Sequence, residues 1–268
     1  MKLFIPDMLR KTLRGATLLL ALTGFSACEK VLDLDLKDAE PRLVIEGNVN
    51  DQPGPYKVRL SKSVSFNASN KFPSVSGAEI TLRDNAGNTE ILTETTPGEY
   101  VSNQFTGVPG RNYFLEVKAE GQTYEATAAM PQPITIQRIF IDKFTFNPDE
   151  KVVKITFQDP PGQDNFYRFL LTINGVQSKE LFYLGDEFVD GNLTEESFRD
   201  GDMELKSGDV VKVTLQTIDE KILDYLIQQD RLGSAQSSSP ANPASNFNNN
   251  ALGYFSAHAE TSATITVP

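Results

Sequence analysis

The sequence holds one cysteine, one histidine and no tryptophan in 268 residues. A lone thiol excludes an internal disulfide and a cysteine-rich metal site. A lone imidazole, His258, leaves a two-histidine metal centre without material, and base catalysis by it needs a nucleophile that no local pattern supplies. Cations are scarce as well, 25 against 36 acids, for a net charge of −11. Such a chain repels phosphate backbones and offers nucleic acid no general basic surface. No apolar run approaches the ~20 residues that a membrane-crossing helix needs. Glycine-rich dinucleotide loops, Walker loops and G-x-S-x-G elbows are missing too. What is present is 39% hydrophobic and 9% aromatic residues, enough to bury a core and to exclude wholesale disorder.

The first segment has the layout of an export signal. Lys2, Arg10, Lys11 and Arg14 precede the short apolar run 16–22, and the segment ends Phe25-Ser26-Ala27-Cys28. Small residues before the only cysteine resemble the lipobox of a bacterial lipoprotein. That resemblance implies a signal peptide over 1–27 and a diacylglyceryl group on Cys28, with further acylation of its freed amine. One acyl chain holds a protein only marginally at roughly 0.8 kcal/mol per buried methylene, whereas two or more anchor it durably. Losing the signal removes four cations and one acid, so the mature chain is more acidic still. Its lipid is then a tether rather than a docking face on anionic membrane. Residues 28–40 alternate Leu32, Leu34 and Leu36 with Asp33 and Asp35 and are read as a linker, a one-sided strand being the alternative. Acids directly after the cysteine also resemble export signals to the cell surface in Bacteroidetes.

From Arg42 onward short runs of period two alternate with turn residues. Strands are expected at 42–49, 56–60, 78–83, 89–93, 99–101, 111–117 and 123–127, the third and fourth joined as a hairpin by Asp84-Asn85-Ala86-Gly87-Asn88. About seven strands over ninety residues predict a β-sandwich of immunoglobulin or transthyretin type across 41–131. Its inner face is expected to hold Leu43, Ile45, Val58, Leu60, Ile80, Leu82, Tyr113, Leu115 and Val117. Met130-Pro131-Gln132-Pro133 then breaks the pattern, because neither proline can donate to a ladder. Residues 132–268 form a second β-rich domain in this reading, so the whole is mainly all-β. Strands are expected there at 134–141, 152–157, 166–173, 179–184, 210–215, 252–258 and 263–267, and a turn at 147–150. Only 219–232 changes period, with an Asp near its start, Ile222, Leu223, Leu226 and Ile227 at helical spacing, and Arg231 then Gly233 at its end. The polar stretch 234–250 reads as an irregular loop.

Candidate sites are few. The acidic turns 186–192 and 199–202 present several oxygens but lack the spaced ligands and closing Glu of an EF-hand loop, so they read as solvated turns and no metal is assigned. Paired carboxylates for glycoside hydrolysis depend on a spatial separation that sequence does not display. The aromatics Phe182, Tyr183 and Phe188 around a Gly-Asp turn, and Tyr254-Phe255 beside the polar loop, are the ligand-binding candidates. Adjacent aromatics on a strand face opposite sides, so one of each pair is expected inward.

The order of several short segments resembles, nearly end to end, lipoproteins grouped as domain of unknown function 4249 from Bacteroidetes. Those segments include Cys28-Glu29-Lys30, Pro41 to Gly47, Gln52-Pro53-Gly54-Pro55-Tyr56, Asp84-Asn85-Ala86-Gly87, Asp159-Pro160-Pro161, Asn165-Phe166-Tyr167-Arg168 and Ala251-Leu252-Gly253-Tyr254-Phe255. The resemblance implies an outer-membrane lipoprotein encoded beside TonB-dependent receptors, and it brings no catalytic residues and no cofactor. The function expected is a non-catalytic accessory or ligand-binding module, partnered by the membrane through Cys28 and by a TonB-dependent transporter, without nucleic acid. The alternatives are a structural or adhesive envelope protein and a carboxylate-based hydrolase.

Overall fold

A computed structural model describes residues 40–65, 71–233 and 241–268. The signal peptide, Cys28 and the linker up to residue 39 lie outside the described residues. Eight strands build the first half: β1 (Leu43–Asn50), β2 (Lys57–Lys62), β3 (Glu79–Asp84), β4 (Thr89–Ile91), β5 (Thr93–Thr96), β6 (Glu99–Val101), β7 (Asn112–Ala119) and β8 (Gln122–Ala129). The second half adds β9 (Ile136–Phe144), β10 (Asn147–Gln158), β11 (Phe166–Ile173), β12 (Val176–Gln177), β13 (Phe182–Leu184), β14 (Leu193–Phe198), β15 (Val210–Ile218), the helix α1 (Glu220–Gly233) and β16 (Leu252–Thr266). The protein is mainly β, with one α-helix among the described residues.

Alternation decides which face each strand buries. β1 and β11 alternate buried and half-buried positions residue by residue. All nine residues expected on the inner face of the first sandwich are buried, none more than 3% exposed. The expected hairpin forms through β3 and β4, with Leu82 opposite Glu90. Around it one sheet runs β4-β3-β7-β8, and it packs against the β1, β2, β6, β5 end of a second sheet.

That second sheet does not stop at the first half. Its order is β12-β11-β15-β16-β1-β2-β6-β5, so strands from both halves share it. The join is β16, read from the sequence as two strands and observed as one of 15 residues. Nothing in Ala259-Glu260-Thr261-Ser262 turns the chain, so the extended run continues. Its first part pairs parallel to β1, from Val44 opposite Leu252 to Asn50 opposite His258. Its second part pairs antiparallel to β15, from Thr217 opposite Ala259 to Val210 opposite Thr266. One face of the strand therefore serves two cores. Phe255, Ala257 and Ala259 pack with the first-half residues, while Ile265 and the adjoining Val267 pack with Val153, Ile155, Phe157 and the β11 and β15 side chains. Each such fully buried large apolar side chain contributes roughly 1.5–3 kcal/mol. Residues 40–268 together make one compact unit.

Gly253 makes the parallel pairing sterically possible. Its φ is +88°, and a Cβ there would sit 2.1 Å from the Ile45 carbonyl oxygen, so only glycine fits. The second half is closed by the small sheet β14-β10-β9. The turn expected at 147–150 is displaced: Thr145 and Phe146 turn, and Asn147 already belongs to β10. Pro148 is tolerated in that strand because the β9–β10 register shifts between Asn147 and Lys151, where a missing N–H costs no ladder bond.

The helix α1 begins where the sequence places an aspartate. Asp219 caps it by accepting the Ile222 N–H at 3.1 Å, and its other oxygen accepts the Ala129 N–H of β8. Ile222, Leu223 and Leu226 are buried with Ile218 on the outer face of the shared sheet. Half-buried Phe166, Tyr183 and Tyr254 flank them.

Candidate functional site

Beside α1, on the outer face of β16, β1 and β2, lies a cavity of about 320 Å³. Period two creates its floor: Val44 and Glu46 point outward from β1 because Leu43, Ile45 and Gly47 point inward. Ser61 from the end of β2, Ser63 and Val64 just beyond it, Leu252 and Gly253 from β16, Tyr225 from α1, and Phe72, Asn242 and Pro243 from connecting segments complete the lining among the described residues. Among the described residues Glu46 is its only carboxylate, half-buried, and its side chain makes no hydrogen bond or ion pair with any of them. Tyr225 packs its ring 5.0 Å from that of Tyr254, whose hydroxyl accepts from Asn48 at 3.4 Å. Burial, with Tyr254 and the Glu46 charge behind it, pushes the Tyr225 phenol up to about 12, so at neutral pH it is a hydrogen-bond donor.

Two further cavities differ in that their charges are already engaged or mixed. One of about 820 Å³ at the β3–β4 end contains Glu90 and Arg111. Glu90 accepts the N–H groups of Asn103, Gln104 and Phe105, and Arg111 pairs with Asp84 at 2.8 Å. The other, about 350 Å³, lies where β12 and β13 both pair with β11 and mixes Arg168, Lys179 and Glu180. Its wall includes Phe182, one of the expected aromatics.

The expected aromatics do not converge on one site. Phe255 is 1% exposed and belongs to the first core, so it is not available to a ligand. Phe182 packs edge-on against Phe198 at 5.3 Å in the second core. Tyr183 faces the helix and donates its hydroxyl to Asp230 at 3.0 Å. The side chain of Phe188 lies outside the described residues. Tyr254, the outward member of its pair, adjoins the cavity beside α1. Tyr225, which lines it, carries no sequence signal beyond its place one residue before the apolar stripe position Leu226.

The acidic turn 186–192 acquires a third carboxylate from 27 positions away. Oxygens of Asp159, Asp186 and Asp190 lie within 4.8 Å of one another. Asp159 has no exposed surface and accepts the Tyr167 hydroxyl and, at 3.0 Å, the Gly191 N–H. Asp190 accepts the Gly162 N–H at 2.6 Å, while Asp186 Oδ1 is enclosed without a partner. None of the three forms an ion pair among the described residues. Burial and then the neighbouring Asp159, Asp190 and Asp164 charges raise the Asp186 pKa, against the Asn165 N–H that lowers it. An all-oxygen set of this kind is neutralised by a proton or by a hard cation.

His258 is enclosed on the same outer face. Its Nδ1 is 3.1 Å from Ser256 Oγ, and its Nε2 is 2.9 Å from Glu260 Oε1 and 3.0 Å from Gln216 Nε2. Serine, histidine and acid are thus contiguous, at alternate positions of one strand. Ser256 and His258 are only 2% and 3% exposed, and neither lines a cavity described above. Gln216 Nε2 is held between His258 and Glu260, while its Oε1 is enclosed without a partner.

A profile of the domain of unknown function DUF4249 matches residues 29–264. The chain belongs to this family. No curated protein matches it. Among solved structures it is similar to a two fibronectin type III domain segment from chicken tenascin, at 11% identity, covering 85% of this chain and 100% of that one, with a TM-score of 0.25. At that score the likeness carries no argument, and the architecture rests on the sheets themselves. The segments that carry the family resemblance occupy structural joints: Asp84 to Gly87 the first hairpin turn, Asp159 the acidic cluster, and Gly253 the parallel join.

Proposed function

We propose that this DUF4249 protein is a lipid-anchored outer-membrane protein whose β body is a non-catalytic ligand-binding or accessory module, working beside a TonB-dependent transporter. The observation that carries binding is the cavity beside α1, where Glu46, Ser61 and Asn242 line about 320 Å³ without using one another as partners. Pockets of this kind, with a few polar groups on an apolar wall, are the usual setting for small ligands. The anchor is read from the export signal and Cys28, and the transporter from the family resemblance. Eleven residues separate Cys28 from Glu40, a reach of about 40 Å when extended, so the tether keeps the body close to its membrane.

Mass spectrometry of the mature N-terminus is expected to find a diacylglyceryl thioether on Cys28, and Cys28→Ser to release the protein from washed envelopes. An unmodified cysteine, or a variant that still sediments with envelopes, overturns the anchor. Crosslinking in native membranes is expected to recover a TonB-dependent receptor; recovery of the protein alone removes the transporter from the reading.

A further inference from the structure

The cavity beside α1 is one-sided in its chemistry. Among the described residues Glu46 supplies its only formal charge, and no cation among them neutralises it. Arg59, opposite Glu46 in the β1–β2 ladder, makes no ion pair with it. A ligand entering the cavity strips water from that carboxylate. A neutral apolar guest would leave the charge both desolvated and unpaired, which is strongly unfavourable. An anionic guest would add repulsion within a chain of net charge −11.

The walls narrow the choice further. The Tyr225 ring, backed by Tyr254 at 5.0 Å, and the ring of Phe72 supply aromatic surface, while Leu252 and Val44 are aliphatic. Aromatic faces attract cations held within about 6 Å of the ring centroid, and more so when water is excluded. Ser61 and Asn242 add acceptors for ammonium hydrogens. Building on the binding reading above, we infer that this cavity takes a small ligand presenting a protonated amine on an apolar or aromatic body, the ammonium pairing with Glu46 and the body lying against Tyr225. The mixed charges of the cavity by β12 and β13, and the engaged Glu90 of the cavity at the β3–β4 end, give neither of those sites this preference.

Calorimetric titration of the full chain with tyramine, its neutral counterpart tyrosol and the anion 3-(4-hydroxyphenyl)propanoate tests the inference. Tyramine is expected to bind saturably, with tyrosol and the anion at least about tenfold weaker. Glu46→Gln and Tyr225→Ala are each expected to weaken tyramine by about tenfold or more. Glu46→Gln sits on the outer sheet face and keeps the shape of the side chain, and an unchanged urea midpoint verifies that the fold is retained. Absence of saturable tyramine binding, equal binding of tyrosol, or undiminished binding by folded Glu46→Gln overturns the amine assignment. Equal binding of tyrosol would do so while leaving a ligand-binding module standing, whereas failure of the anchored-module reading shows in the envelope fractionation and not in the titration.

Discussion

The hairpin turn Asp84 to Asn88 and the turn Asp186 to Asn192 both bury carboxylate oxygens, and among the described residues a cation meets the first alone. Asp84, whose side chain has no exposed surface, accepts the Ala86 and Asn88 N–H groups and the Asn88 amide, and pairs with Arg111 at 2.8 Å. Burial by itself raises its pKa, yet those bonds outweigh burial and hold the carboxyl below its ordinary value. Asp186 has one enclosed oxygen without a partner and the like charges of Asp159, Asp190 and Asp164 near it, and burial first and then those charges raise its carboxyl. Burial has the same sign at both turns. Donors and a cation decide which way the proton goes.

Four measurements break or sharpen that contrast. The largest effect is expected from Asp84→Ala, which abandons three turn hydrogen bonds and leaves the Arg111 charge half-buried; urea unfolding should lose about 3 kcal/mol. A loss within error would mean that the turn is held by its glycine and not by its carboxylate. Arg111→Ala should cost less, about 1–2 kcal/mol, because the backbone donors to Asp84 remain. Asp186→Asn is expected to move in the opposite direction, a gain of a few tenths up to about 1 kcal/mol at neutral pH, since the amide oxygen still accepts while the like charge is gone. Destabilisation by that variant would show the cluster to be compensated in solution.

The pH profile gives the smallest and most specific readout. Asp84, with a lowered folded value, contributes stability that is complete above its unfolded pKa of about 3.9 and is lost as pH falls through the lowered value. Asp186, with a raised value, carries a penalty that is complete above that raised value and is relieved as pH falls through it towards the unfolded one. The advantage of Asp186→Asn over wild type should therefore shrink on acidification, while the deficit of Asp84→Ala shrinks only at still lower pH. Parallel profiles for the two variants would contradict the opposite shifts.

Local patterns made much of this fold readable. Alternation along 42–49, 56–60 and 111–117 identified inward side chains correctly because a strand with one buried face has no other arrangement that hides them. Asp219 followed by Ile222 and Leu223 located the helix start, since a carboxylate there meets the orphan N–H of the first turn. Composition misled at 147–150, where Pro148 and Asp149 look like a turn but a register shift accommodates them inside β10. Of the adjacent pair, Tyr254 packs against the cavity residue Tyr225 while Phe255 fills the core, as the opposite faces of neighbouring strand residues require.

The cavity and the acidic cluster were legible only in part. Glu46 reads as an outward strand residue, and nothing near it in sequence announces Tyr225, about 180 positions later, as its neighbour. The turn 186–192 displays its own acids, but Asp159 joins them only because β10 runs back beside β14, with Gln158 opposite Leu193. Ser256, His258 and Glu260 alternate visibly along β16, yet their burial follows from Gln216 on the adjoining strand.

The sequence alone determined strand periodicity, the inward residues of the first sandwich, the helix and its cap, and the charge of the whole, because each depends on residues a few positions apart. Tertiary structure decided that one closing strand completes the sheet of both halves, and where Glu46 meets Tyr225 and Asp159 meets Asp186. Those outcomes depend on the pairing of edges far apart in the chain, with Gly253 admitting the close parallel approach that no side chain larger than hydrogen would permit.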